Sequence, residues 1–194
     1  MAAGKVLTGF SLPYVALYTA NGGTVTYSNG QRLARGVSIS IEAEAESDNI
    51  FYADNISAES APGIFTSGTA TITVDGLKQA AERLIMGIPE PDTDGFIHYG
   101  ESLTIPYVGV GVICRYMEDG VTTYTPVILT KARFVTPGID ATTASETIEW
   151  QTQELTATLL RDDTSNHDWK LVGGEEVSEA AAEAKIKAKF GISA

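Results

Sequence analysis

Three carboxylates spaced two residues apart, Glu42, Glu44 and Glu46, are the groups in this sequence whose spacing most resembles a site. Acids two apart on one strand stand ~6.5–7 Å from each other. That falls inside the roughly 6.5–9.5 Å window in which inverting glycosidases hold a general acid and a general base. Catalytic pairs, however, face each other across a cleft, and these three lie in file with no aromatic platform for a sugar nearby. The two histidines, His98 and His167, are distant in sequence from each other and from the single cysteine, so they read as loop residues and not as zinc ligands. Cys114 lies in a valine-rich run and reads as an inert buried thiol. Gly109-Val110-Gly111 lacks the third glycine and the following helix of a dinucleotide fingerprint. Asp92-Thr93-Asp94-Gly95 is a fragment of a calcium loop without its downstream glutamate, and reads as a turn. Asn55-Ile56-Ser57 matches a glycosylation triplet, a pattern that arises readily by chance. There is no nucleophile elbow. The expectation is a protein that is not an enzyme, with no catalytic, metal or cofactor site.

The carboxylates belong to the stretch VSISIEAEAESDNIFYADN, Val37–Asn55. Val37, Ile39, Ile41, Ala43 and Ala45 alternate with Ser38, Ser40, Glu42, Glu44 and Glu46, the pattern of a strand with one apolar and one acidic face. Like charges in file repel, so the acidic face is unusual. It suits either a wall completed by assembly or a solvated edge strand protected by charge, the second being the simpler reading of these residues alone. Beyond it, Ile50, Phe51 and Tyr52 are too close in sequence to share one strand face.

A chain of 194 residues with 43% hydrophobic and 20% charged residues suits one domain with a sizeable core, or one domain plus appendages. Its net charge of −12 argues against binding nucleic acid through counterion release, yet suits a surface that nucleic acid must pass without sticking. One cysteine rules out an internal disulfide. The uncharged stretch Val6–Gln31 is broken by Pro13, Gly22 and Gly23, so it cannot be a spanning helix. With only Lys5 basic, and Tyr18 where a small residue should precede a cleavage, it is also a poor signal peptide. The chain reads as soluble and unexported.

Met1–Leu12 reads as an arm. Tyr14–Tyr18 and Thr24–Tyr27 are strand candidates, closed by the turns Asn21-Gly22-Gly23 and Ser28-Asn29-Gly30. Asp48–Ser67 has no period and is expected to be a long loop. Thr69–Val74 alternates as a strand and runs into a predicted helix over 75–87. There Leu77, Ala80, Ala81, Leu84 and Ile85 recur at helical spacing to pack on a sheet, with Asp75 as cap and Gly87 as stop. Leu103–Met117 and Thr122–Phe134 form a hairpin, with Pro126 at an edge or bulge position. Thr147–Arg161 is a final strand with a bulge near Gln151–Glu154. A second helix is predicted over Glu175–Lys189, with a thin, alanine-rich apolar face that suggests a loosely docked or exposed tail. The expected fold is mainly β with one embedded helix, a sandwich or open barrel covered on one side. Residues 1–161 form the β domain, and 162–194 a C-terminal extension.

The acidic alternating strand, the Tyr52-Ala53-Asp54-Asn55 motif, the Gly68–Val74 strand leading into Asp75-Gly76-Leu77, and the late hairpin with its threonine-rich final strand resemble the major tail (tail-tube) proteins of long, non-contractile-tailed bacteriophages of Gram-positive hosts. The resemblance spans roughly Lys5–Arg161. It implies two packed antiparallel sheets with a flanking helix, and copies that form rings, hexameric in this family, stacked into a tube that carries DNA. It further implies that Glu42, Glu44 and Glu46 face the lumen and repel DNA. The loop Asp48–Ser67, with Asp48, Ile50, Phe51, Tyr52, Asp54 and Asn55, would reach neighbouring subunits and rings. The partners implied are the protein itself and tape-measure, tail-terminator and baseplate proteins, with double-stranded DNA in transit and no membrane. The place implied is the virion tail, assembled in the host cytoplasm. Two alternatives stay open: a single-ring tail terminator or head–tail connector, and a monomeric β-sandwich module that binds a carbohydrate or peptide.

Overall fold

The computed structural model describes residues 4–53, 56–61, 63–101, 103–143 and 150–193. The strands are β1 (Val6–Asn21), β2 (Thr24–Arg32), β3 (Gly36–Ala45), β4 (Asn49–Ala53), β5 (Ile56–Ala61), β6 (Phe65–Val74), β7 (Val108–Glu118), β8 (Val121–Phe134), β9 (Gln153–Leu160) and β10 (Lys170–Val172). Two helices, α1 (Gln79–Met86) and α2 (Glu179–Lys189), complete the described elements. The chain is mainly β with a flanking helix, as its alternating segments require. The β layer is one antiparallel sheet of eight strands, β2-β1-β7-β8-β9-β6-β3, with β10 added to β8; β4 and β5 form a separate hairpin.

The sheet curls instead of dividing into two packed sheets. The amide of Leu33, donating to the carbonyl of Pro13 at 2.8 Å, carries the β1–β2 pairing past Arg32, and from there the far strand β3 returns alongside β1. The Phe10 ring lies so close to Gly36 that a Cβ there would meet it at 2.2 Å, and a side chain at that position would have to push the ring aside. This is the open-barrel form of the expected fold.

Neighbouring residues on the central strands serve opposite faces. Val15, Val110, Val112 and Leu129 join Ile72, Leu155, Leu159 and Phe134 in a core closed by Ala81, Ile85 and Met86 of α1. Tyr14, Ala16, Ile113 and Ile128 look the other way and meet Ala182, Ile186 and Phe190 of the C-terminal segment. The order of layers is therefore α1, sheet, α2.

Several local expectations change. α1 starts at Gln79, and its N-cap Lys78 makes no side-chain capping bond. Asp75 instead accepts from the backbone and guanidinium of Arg35, the latter at 2.5 Å. Gly87 does end the helix in the left-handed conformation, φ 68°. Of the residues predicted to pack, Ala81 and Ile85 are buried and Leu77 and Leu84 half-buried; Ala80 is exposed, and Met86 is buried as well. β2 runs through Ser28-Asn29-Gly30, because a slip in the β1–β2 register absorbs the positive φ of Asn29. Residues 103–107 precede β7 without joining it, and β9 starts at Gln153 and pairs with β6 without a bulge.

The largest departure is at the C-terminus. α2 is no loose tail: Ala182, Ile186 and Phe190 are fully buried. A thin apolar face suffices because the sheet beneath it is hollowed by glycine. A Cβ at Gly111 would lie 2.5 Å from Ile186, and one at Gly109 would lie 2.9 Å from Phe190 and 2.4 Å from Tyr27. The two glycines that fail as a nucleotide fingerprint are thus the floor of a helix-docking site.

Candidate functional site: a bare polar half-sheet and its edge

The α2 segment covers the outer face of the sheet over β1, β7 and β8, and β10 extends the sheet in its own plane beside β8. The outer face of β3, β6, β9 and the end of β8 stays bare, and strand register dictates its composition. Residues directly opposite in an antiparallel pair point to the same side. Ile39, Ile41 and Ala43 lie opposite Ile72, Ala70 and Gly68, which lie opposite Leu155, Ala157 and Leu159, all on the core side. The residues between them form outward rows: Ser38–Thr73–Glu154, Ser40–Thr71–Thr156, Glu42–Thr69–Thr158 and Glu44–Ser67. Alternation in three strands, locked in phase, makes a wall of hydroxyls with carboxylates at its margin.

Glu42 and Glu44 sit on this wall, exposed, and Glu44 accepts a hydrogen bond from the Ser67 hydroxyl at 3.0 Å. Glu46 is exposed just past the end of β3, its amide donating to the carbonyl of Ile64. β3 pairs with β6 alone, so its outer backbone edge is open among the described residues. At the opposite margin, Arg133 lies across from Thr158 and ends the Glu42 row. Three strand spacings separate it from Glu42, about 14 Å, too far for an ion pair. Arg133 instead lies over the Tyr107 ring, 5.6 Å from its centroid.

From the end of β3 the chain leaves as the hairpin β4–β5, which corrects the expectation of an aperiodic loop over 48–67. Asn49 pairs with Ala61, Ile50 with Ser60 and Tyr52 with Ser57, and Asp48 accepts from the Gly63 amide at the base. Ile50 and Tyr52 are 42% and 63% exposed. Asp54, Asn55 and the side chain of Phe51 lie outside the described residues. Among the described residues the hairpin makes no substantial contact with any other element, and a two-stranded hairpin alone is marginal in water.

The remaining candidates are not brought together. His98 meets Asp92 at 2.8 Å on the surface; this contact, with the Phe96 and Asp94 amides, holds the Asp92 carboxyl below its ordinary value. His167 bonds the Asp162 carbonyl in a different loop. Cys114 is half-buried, and burial raises its pKa, which makes the thiolate scarce. No group of three metal-type ligands occurs among the described residues. A groove of about 540 Å³ opens where β9 begins, lined in part by Asp75, Leu77, Glu82, Ile139, Asp140 and Glu154. Glu82 there receives the Tyr99 hydroxyl and Asp75 is taken by Arg35, so neither is a poised base. No described helix is long and apolar enough to cross a membrane.

Fold and surface together define a curled antiparallel β-protein, capped by helices on both faces, with one uncovered hydroxyl- and carboxylate-bearing half-sheet. No protein-family profile matches the chain, and no curated protein matches it either.

Proposed function

We propose that the protein is a structural subunit that polymerises as stacked rings into a tube, the tail tube of a long-tailed bacteriophage, with DNA passing through its bore. The observation that carries the reading is the bare half-sheet, which ends in an open edge strand from whose end an isolated hairpin projects. An uncovered polar sheet face needs no partner in water, but an open edge and a hairpin bearing exposed Ile50 and Tyr52 do. Side-by-side copies would join the carboxylate margin of one subunit to the Arg133 margin of the next, which supports a head-to-tail ring. The joined half-sheets would form the lumen, with Glu42, Glu44 and Glu154 turned inward against a polyanion carrying one charge per ~1.7 Å of axis. Such a wall keeps DNA mobile by repulsion. The hairpin serves as the anchor to neighbouring copies, and the role is architectural, without catalysis.

Negative-stain microscopy combined with sedimentation across protein concentration and salt tests this. Tubes are expected from the purified chain. Replacing Phe51 and Tyr52 together by Ala should leave a folded monomer that assembles at least tenfold less well, because a few apolar anchors carry most interface energy. Single closed rings would replace the tube by a connector-type role. A monomer at every concentration and ionic strength would end the proposal.

A further inference from the structure

The two halves of β1 are held differently. Tyr14–Leu17 lie between β2 and β7, whereas Val6–Ser11 pair with β7 alone. The joint is Leu12-Pro13, where the β1–β7 register slips. Leu12 has φ +50°, in the left-handed region that a bulky side chain disfavours. A residue persists there only when its surroundings hold it.

Those surroundings are the C-terminal segment. Glu175 receives the ammonium of Lys5, Glu179 receives the hydroxyl of Ser11, and Glu183 receives the hydroxyl of Tyr14 at 2.5 Å. Glu179 and Glu183, four apart, share one face of α2. They grip β1 on either side of Leu12, whose side chain packs into the same apolar cluster as Ile186 and Phe190. Ahead of the joint, Val6 and Leu7 are largely exposed, and Phe10 is the segment's contact with the main core. We infer that Leu12-Pro13 is a hinge and α2 its latch. The segment Val6–Ser11 opens from β7 as a unit, and its hold is set by the glutamates that clamp it. When open, it uncovers the backbone edge of β7 from Ile113 to Met117. The device belongs to the single subunit and does not depend on what the protein assembles into.

Hydrogen exchange of the full chain, read by mass spectrometry under non-assembling conditions, tests it. In the unaltered protein the amides of Val6–Ser11 are expected to exchange together and faster than those of Tyr14–Leu17. Combining Lys5→Ala with Glu179→Ala should accelerate the first group at least fivefold and leave the second unchanged. Combining Lys5→Ala with Glu179→Gln, which keeps an acceptor for Ser11, should retain much of the protection. Unchanged exchange in Val6–Ser11, or equal acceleration of both groups, overturns the latch. Should the double alanine variant be too unstable to compare, Lys5→Ala alone decides by the same comparison.

Discussion

Glu183 shows what a single side chain contributes here. The ammonium of Lys187, at 2.8 Å, and then the hydroxyl of Tyr14 hold its carboxyl below the ordinary value of 4.5. A carboxyl lowered by folding stabilises the native state above its ordinary pKa, and that contribution fades as pH falls through the lowered value. Glu183→Gln should therefore lower the melting temperature at pH 7. The cost is about 1 kcal/mol, kept small because the side chain still touches water. The gap to the parent protein should narrow steadily below pH 4.5; a gap constant down to pH 2 would mean the side chain acts by packing alone. Little of this was visible in the residues themselves. Glu179 and Glu183 lie within the predicted helix over Glu175–Lys189, but their partners Ser11 and Tyr14 lie far away in the chain. Ser11 and Tyr14 carried no signal of pairing at all.

Among the elements, α2 is the one whose role changes most. Its alanine-rich face offers little apolar area, and area alone predicts weak docking. Close approach overrides that estimate, because Ile186 and Phe190 seat over Gly111 and Gly109 of the sheet, and Phe190 is fully buried beside Tyr27, ring centroids 5.0 Å apart. Phe190→Ala should cost about 3–5 kcal/mol, the range for emptying an aromatic site in a core. Gly111→Val should be destabilising too, because a side chain there must displace Ile186. Chemical denaturation of both variants measures this; unaltered midpoints would return α2 to the status of a tail. The segment 48–67 is the opposite case. The described side chains of β4–β5, Ile50, Tyr52, Glu59 and Ser60, are exposed, so the apolar–polar period that reveals strands had little cause to appear there.

At the scale of the whole molecule, the charge of −12 is spread unevenly. Glu42, Glu44 and Glu154 share a face with Thr69, Thr71, Thr156 and Thr158, a surface with little reason to fold against anything. Glu42→Gln combined with Glu44→Gln should leave the subunit's stability within about 0.5 kcal/mol, as exposed substitutions do. On the proposed reading, the same pair should make assembly less favourable at low ionic strength, since the margin of one copy then no longer attracts the Arg133 margin of the next. Light scattering across a salt series measures the shift. No movement of the assembly threshold would mean that these carboxylates do not meet across copies.

By itself the sequence determined what depends on local pattern. Strict alternation in Val37–Ala45 and Thr69–Val74 required strands with one core face and one polar face, and three- and four-residue spacing after Asp75 required a helix that Gly87 ends. The scattered histidines and the single cysteine offered no catalytic set. Tertiary structure decided everything that depends on who lies opposite whom. Register across β3, β6 and β9 turned separate serines, threonines and glutamates into one continuous wall. Curling chose one sheet over two. Glycines at 109 and 111 converted a marginal helix into a buried layer. These are agreements between segments remote in the chain, and no periodicity within a single segment encodes its partner's phase.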